Sequence, residues 1–224
     1  MDKLCYIFLY FVFYSIIGYA CEVFYVYLGD KKWVNRGFLH GPYIPIYGNG
    51  AMIVSLALLH VKKDSFIIFL VGLILCSLLE YITSYVMEKI FHNRWWDYSE
   101  RKYNLNGRVC LQNSVLFGLG SVAIIYVFNP LFNKLYNALG FKTALYVAIV
   151  LFIIMLVDFS ISFFEAIKVS NIASHLDKFM EEFEKKKEST KRIKTRLMEA
   201  YPYLVKRNFK FLDKIKNYKK KRKN

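Results

Sequence analysis

Charge is scarce along most of this 224-residue sequence. Residues 4–28 hold only Glu22, 43–61 hold none, 65–86 only Glu80, 109–128 none and 143–164 only Asp158. Proline is scarce too: the four prolines fall at 42, 45, 130 and 202, so none interrupts the middle of a run. Each run has about the 20 residues that a helix needs to cross a hydrocarbon core of roughly 30 Å. Five such runs exclude an ordinary soluble enzyme, a fibrous protein and a disordered chain. They also exclude an outer-membrane barrel, whose strands alternate apolar and polar residues over about ten positions. The four cysteines (Cys5, Cys21, Cys76 and Cys110) lie within or at the ends of apolar runs, with no Cys-x-x-Cys spacing. They read as reduced packing thiols, and neither a metal nor another cofactor is expected. The first run lacks a small-residue cleavage pattern and holds Glu22, so it reads as a span, not a leader. A Gly-x-x-x-x-Gly-Lys-Ser/Thr phosphate loop is also missing, so any ATPase activity must come from another polypeptide.

Basic residues, by contrast, are plentiful and unevenly placed. Residues 1–169 hold 14 basic and 10 acidic side chains, whereas 170–224 hold 18 and 7. The sequence therefore predicts an all-α polytopic membrane protein: a five-helix transmembrane domain over 1–169 and a basic cytoplasmic helical tail over 170–224. Short loops on the cytoplasmic side carry the excess of Lys and Arg. That rule places the amino terminus outside and the carboxyl terminus inside, with residues 30–42 and 92–108 as inner loops. Asn129-Pro130 predicts the end of the fourth span, and Gly140 the stop of a short helix on the outer surface. In the tail, Ile172, Leu176, Phe179 and Phe183 recur at helical spacing. The fifth span is expected to continue inward there, and a last helix to open at Pro202. The tail and its terminal Lys-rich cluster suit anionic lipid at the inner leaflet. Nucleic acid is not an expected partner, since the tail aromatics keep helical core spacing.

Within the body, Glu22, Glu80 and Asp158 fall on three helices in the predicted cytoplasmic half. A charge in the bilayer interior costs several kcal/mol unless it faces protein or water. The three therefore suggest either a polar cavity opening to the cytoplasm or ion pairs that fix helix packing. Both inner loops supply partners. The first runs Asn35-Arg36-Gly37-Phe38-Leu39-His40-Gly41-Pro42-Tyr43-Ile44-Pro45-Ile46-Tyr47-Gly48-Asn49-Gly50. Its glycines and prolines oppose regular helix through the start of the second span, and such backbone is tolerated at membrane depth only against protein or a wet cavity. The second holds Trp95, Trp96, Asp97, Tyr98, Asn104, Asn106, Gly107 and Arg108. Trp95 and Trp96 suit an interface anchor. Arg36, Arg94 and Arg108 can pair with the carboxylates or hold an anionic group. The candidate ligand-binding residues are Glu22, Asn35, Arg36, His40, Tyr47, Asn49, Glu80, Asp97, Asn106 and Arg108; no catalytic residue can be assigned.

Asn35-Arg36-Gly37-Phe38-Leu39-x-Gly41-Pro42, Pro45-Ile46-Tyr47-Gly48-x-Gly50 and Trp96-Asp97-Tyr98, with Asn104 and Gly107, resemble the ABC-transporter type IV permease family. Glu22 and Glu80-Tyr81 fit its layout, and the resemblance covers roughly residues 10–130. It implies a bacterial multi-pass membrane protein. The expected function is a permease-like transporter subunit, with a separate ATPase and a second copy of the chain as candidate partners. The alternative is a membrane-embedded enzyme acting on a lipid head group at the inner leaflet.

Overall fold

The computed structural model describes residues 2–58, 64–91 and 94–174. The expected helical continuation of the tail and the helix from Pro202 lie outside the described residues. Six α-helices account for most of the fold: α1 (Asp2–Asp30), α2 (Pro45–Ala57), α3 (Ser65–Phe91), α4 (Leu111–Ala123), α5 (Asn129–Leu139) and α6 (Phe141–Ser174). A two-stranded hairpin, β1 (Asn104–Leu105) against β2 (Val109–Cys110), precedes α4.

Among the described residues, four helical segments are long and apolar enough to cross a membrane: Lys3–Gly29, Ser65–Phe91, Leu111–Leu139 and Phe141–Val169. Within the run 43–61, the described residues form α2, whose 13 residues rise about 20 Å, short of a hydrocarbon core. Its late start is forced locally. Ile44 extends the backbone before Pro45, and the Ile44 N–H donates to the carbonyl of Ser15 at 2.9 Å, halfway along α1. Residues 31–44 thus return along α1 as non-helical chain before α2 begins.

The fourth span does not end at Asn129-Pro130. α4 passes through a π-helical turn, Ile124–Phe128, directly into α5. Pro130 has no N–H for the preceding turn, and a widened turn before it absorbs the mismatch without breaking the rod. Asn129 is not a cap here; its Oδ1 accepts from Tyr10 and Tyr14, each at 2.7 Å. Gly140, at φ +68, does stop α5.

Close packing aligns neighbours in alternating directions. Gly72 of α3 faces Ser121 of α4, Gly118 of α4 faces Phe69, and Ser77 donates to Ser114 at 2.7 Å, which fixes an antiparallel α3–α4 pair. Gly18 of α1 lies under the ring of Tyr47, and Gly48 of α2 lies against Phe11 and Ser15. A side chain at either glycine would push α1 and α2 apart. Cys5, Leu9, Phe132, Ala144 and Ala148 bury one end of the bundle, joining α1, α5 and α6. Phe91, Trp95 and Ala166, with Phe38 and Phe163 against them, bury the other. The loop between α1 and α2 and the loop between α3 and β1 both contribute to this second end.

Candidate functional site

The loop between α1 and α2 is built around Asn35. Its Oδ1 accepts from the Gly37 N–H, and its Nδ2 donates to the His40 carbonyl, both at 2.9 Å. This compact turn buries Leu39 completely and presents residues 40–43 to α6. Asp158 of α6 accepts there from the main-chain N–H of His40 (3.0 Å), the N–H of Gly41 (2.8 Å) and the hydroxyl of Tyr43 (2.7 Å). His40 lies between two α6 carboxylates, with Nδ1 3.1 Å from Asp158 and Nε2 3.2 Å from Glu165. Asp158 therefore anchors a loop; the arginines go elsewhere.

The second loop uses two of those arginines to close on α3. Arg108, buried at 8% exposure, places Nη2 2.6 Å from Glu88 and stacks its guanidinium over Tyr81 and Tyr85. Arg94 reaches the same Glu88 oxygen at 3.0 Å and lies 3.7 Å from Asp97. Asp97 in turn receives the N–H and hydroxyl of Ser99. Asn106 donates to the Tyr81 hydroxyl at 3.0 Å, and Gly107 takes φ +69 with no room for a side chain beside Asp97 and Ser99. Glu88, which pairs with both arginines, is absent from the sequence candidates. Its place two turns beyond Glu80 on one helix is the signal that could have found it.

A third group lies between the two loops. Glu22 of α1 accepts from the Tyr47 hydroxyl of α2 at 2.5 Å, and its other oxygen lies 3.9 Å from Arg36. Glu80 of α3, 6% exposed, accepts from the Tyr98 hydroxyl of the second loop at 3.1 Å. Burial first, and Glu80 next, push the Tyr98 phenol above its ordinary pKa, so it remains the donor. The second Glu80 oxygen, Oε2, is buried and finds no hydrogen-bond partner among the described residues. Glu22, Arg36, Tyr47 and Glu80 are thus gathered with Tyr98, which sequence reasoning had not singled out as a site residue. His40 and Asn35 belong to the Asp158 anchor, and Asp97, Asn106 and Arg108 to the Glu88 cluster. Asn49 is exposed on α2 and joins none of them.

Polar groups also occur at the opposite end of α1, where none was anticipated. Tyr6 donates to Asn133, while Tyr10 and Tyr14 share Asn129, with Ser55 bonded to Tyr10. The spacing of Tyr6, Tyr10 and Tyr14 at every fourth residue is the signal, since it puts three phenols on one ridge. With Gly18 and Glu22 the same ridge extends to the acidic group.

Long apolar helices with polar clusters held inside them define a multi-pass α-helical membrane protein. The particular kind follows from comparison. The chain belongs to the family described as "Putative ABC-transporter type IV", whose model matches residues 9–163. It is thus a transporter-related membrane protein. The matched segment contains both loops and all five residues gathered around Glu22 and Glu80. No curated protein and no solved structure matches the chain.

Proposed function

We propose that the protein is the membrane subunit of an ATP-driven transporter, that its ATPase is a separate polypeptide, and that it takes a ligand between Glu22 and Glu80. The observation that carries this reading is the convergence on these two carboxylates of donors from three separately anchored pieces. Arg36 comes from the first loop, Tyr47 from α2 and Tyr98 from the second loop. A relative shift of either loop or of α2 alters the groups facing Glu22 and Glu80, which is what a transport subunit requires of its site. The absence of a phosphate-binding loop in the sequence, together with the family, supports an ATPase partner.

In this reading the loop-charge bias places the Glu22 and Glu80 end inside. Residues 31–44 and α2 together make the second of five crossings, the first half as non-helical chain packed against protein. Exposed Lys31, Lys32 and Trp33 then sit at the inner leaflet, where each basic residue contributes about 1 kcal/mol toward anionic lipid. The enzyme alternative would need Arg36 or Arg108 to hold a head-group phosphate; Arg108 is already engaged by Glu88 and Ser84, and Arg36 lies 3.9 Å from Glu22.

The test is purification of tagged full-length protein from its native membrane in mild detergent. An associated, ATP-hydrolysing subunit is expected, and ATP-dependent ligand movement after reconstitution should fall with Glu22→Gln. A full complement of activity from the chain alone, with no ATP hydrolysis, would overturn the reading. For orientation, single cysteines at Trp33 and Ser99 should resist an impermeant thiol reagent in intact cells.

A further inference from the structure

The second loop is exposed at a depth where lipid cannot serve it. Ser77 and Ser114 bond across α3 and α4, and Ser77 stands one residue from the middle of the 27-residue α3. α4 therefore begins near mid-bilayer, and the hairpin before it lies along the second half of α3. Tyr98 reaches Glu80 there, Asn106 reaches Tyr81 and Arg108 reaches Ser84. At 1.5 Å per residue these contacts fall about 3–9 Å from the middle, inside the roughly 15 Å half-thickness of a hydrocarbon core. Yet residues 99–106 are all exposed, and β1 is an edge strand. Gln112 is exposed as well, on the side of α4 away from the buried Ser114, Gly118 and Ser121.

Three coverings can be compared. Lipid offers no hydrogen bonds, so irregular backbone and an open strand edge persist at that depth only against protein or water. It also opposes the charges of the tip, since Glu100, Arg101 and Lys102 form no ion pair among the described residues. A wet vestibule hydrates those charges but leaves Tyr103 and Leu105, 80% and 58% exposed, bare in water beside them. A protein face serves both kinds of group, and a second copy of the chain supplies the complement by itself. The tip carries both signs, so a two-fold contact sets Glu100 of each copy against Arg101 of the other. The Gln112 carboxamide, which has no hydrogen bond among the described residues, is both donor and acceptor and can pair with its own copy. Tyr103 and Asn106, each held at φ +54, show that the backbone is strained in presenting this surface.

We propose that the chain is a dimer whose two-fold interface is formed by the hairpin tip and the face of α4 around Gln112. The interface is separate from the Glu22 and Glu80 group, and it holds for either orientation of the chain in the membrane.

Purified full-length protein in mild detergent should have the mass of two chains by light scattering and dissociate on dilution. Glu100→Arg places like charges face to face and should weaken dimerisation at least about tenfold, as should Arg101→Glu. The double exchange of the two should restore it. These variants keep the bonds inside the loop, which use the main chain of residue 101 and the side chains of Ser99 and Asn104. In native membranes, and in a background free of the native cysteines, Tyr103→Cys should cross-link two chains through a short bis-maleimide. Phe152→Cys, exposed on α6, should not. A single-chain mass with no cross-link at residue 103, or a dimer indifferent to both charge reversals, would overturn the proposal. So would a cross-link from residue 103 to a different protein alone, or ready labelling there by an impermeant thiol reagent in opened membranes without any cross-link, which would assign the face to water.

Discussion

Replacing Asp158 by Asn tests whether the first loop is held to α6 by the bonds seen. The substitution keeps volume and one acceptor oxygen, but it removes the charge and turns an amide NH₂ toward donors. In one orientation that NH₂ faces the Gly41 N–H and the Tyr43 hydroxyl; in the other it faces the His40 N–H and Ser162. One main-chain bond is lost either way, since a hydroxyl can turn to accept from the NH₂, and the remaining bonds lose their charge. A hydrogen bond to a charged group contributes roughly 1.5–3 kcal/mol and a neutral one about 1 kcal/mol, so about 3 kcal/mol is expected in all. The loss should be local, because residues 31–44 are also held by Ile44, by Arg36 on Glu22 and by the packing of Phe38, Leu39 and Tyr43, while α1 and α6 keep their own contacts. Leu39 reports on it, since its side chain is 1% exposed beneath the turn. With Leu39→Cys in a background free of the native cysteines, the rate of thiol labelling follows the open population of the loop. An added 3 kcal/mol should speed labelling about 100-fold, at roughly tenfold per 1.4 kcal/mol. Ser162→Ala, which deletes only the weaker 3.3 Å bond to Asp158 and the contact to His40, should have a much smaller effect. If Asp158→Asn labels no faster than its parent, the anchor does not hold the loop and the argument fails.

Three further outcomes can be checked by thermal unfolding in detergent. Gly18→Ala must displace the Tyr47 ring and with it the bond to Glu22, and overpacking of this kind costs about 1–3 kcal/mol. Gly120→Ala, with nothing near the new methyl, should be neutral or gain about 0.5–1 kcal/mol from helix propensity. Asn129→Ala removes the partner of the Tyr14 hydroxyl while Tyr10 keeps Ser55, at about 1–3 kcal/mol for the buried group left unbonded, and an unchanged melting temperature would remove that cluster from the account of packing.

Long apolar runs were legible because lipid-facing helices need no periodicity, only length. Charge position was legible for the same reason: a carboxylate within such a run must have a partner. Which partner was not. Arg94 and Arg108 could meet any of several acids by sequence distance, and the turn chemistry of residues 94–110 brings both to Glu88. Asn35 and Gly37 announced an irregular loop, but not that its main-chain N–H groups would take Asp158. Asn129-Pro130 misled in a different way. Proline ends a helix when nothing compensates, and here a π turn and neighbouring phenols on α1 allow the rod to continue.

Four carboxylates, Glu88 and the three expected from the sequence, are distinguished by what their neighbours supply. Asp158 is saturated by donors from a rigid turn, and its chemistry is spent on holding that turn. Glu88 receives two arginines and so locks the second loop against α3. Glu22 and Glu80 remain at the junction of these two locked pieces with α2, and there one buried oxygen is unmatched. A folded chain rarely tolerates an unpaired buried acceptor, because leaving it unbonded costs about 1–3 kcal/mol and more when it is charged. Strain or unmet bonding concentrated where separately anchored parts meet is a mark of function rather than of packing. The two saturated acids account for the anchoring of the two loops, and the unsaturated one is the carboxylate on which the proposed ligand site rests.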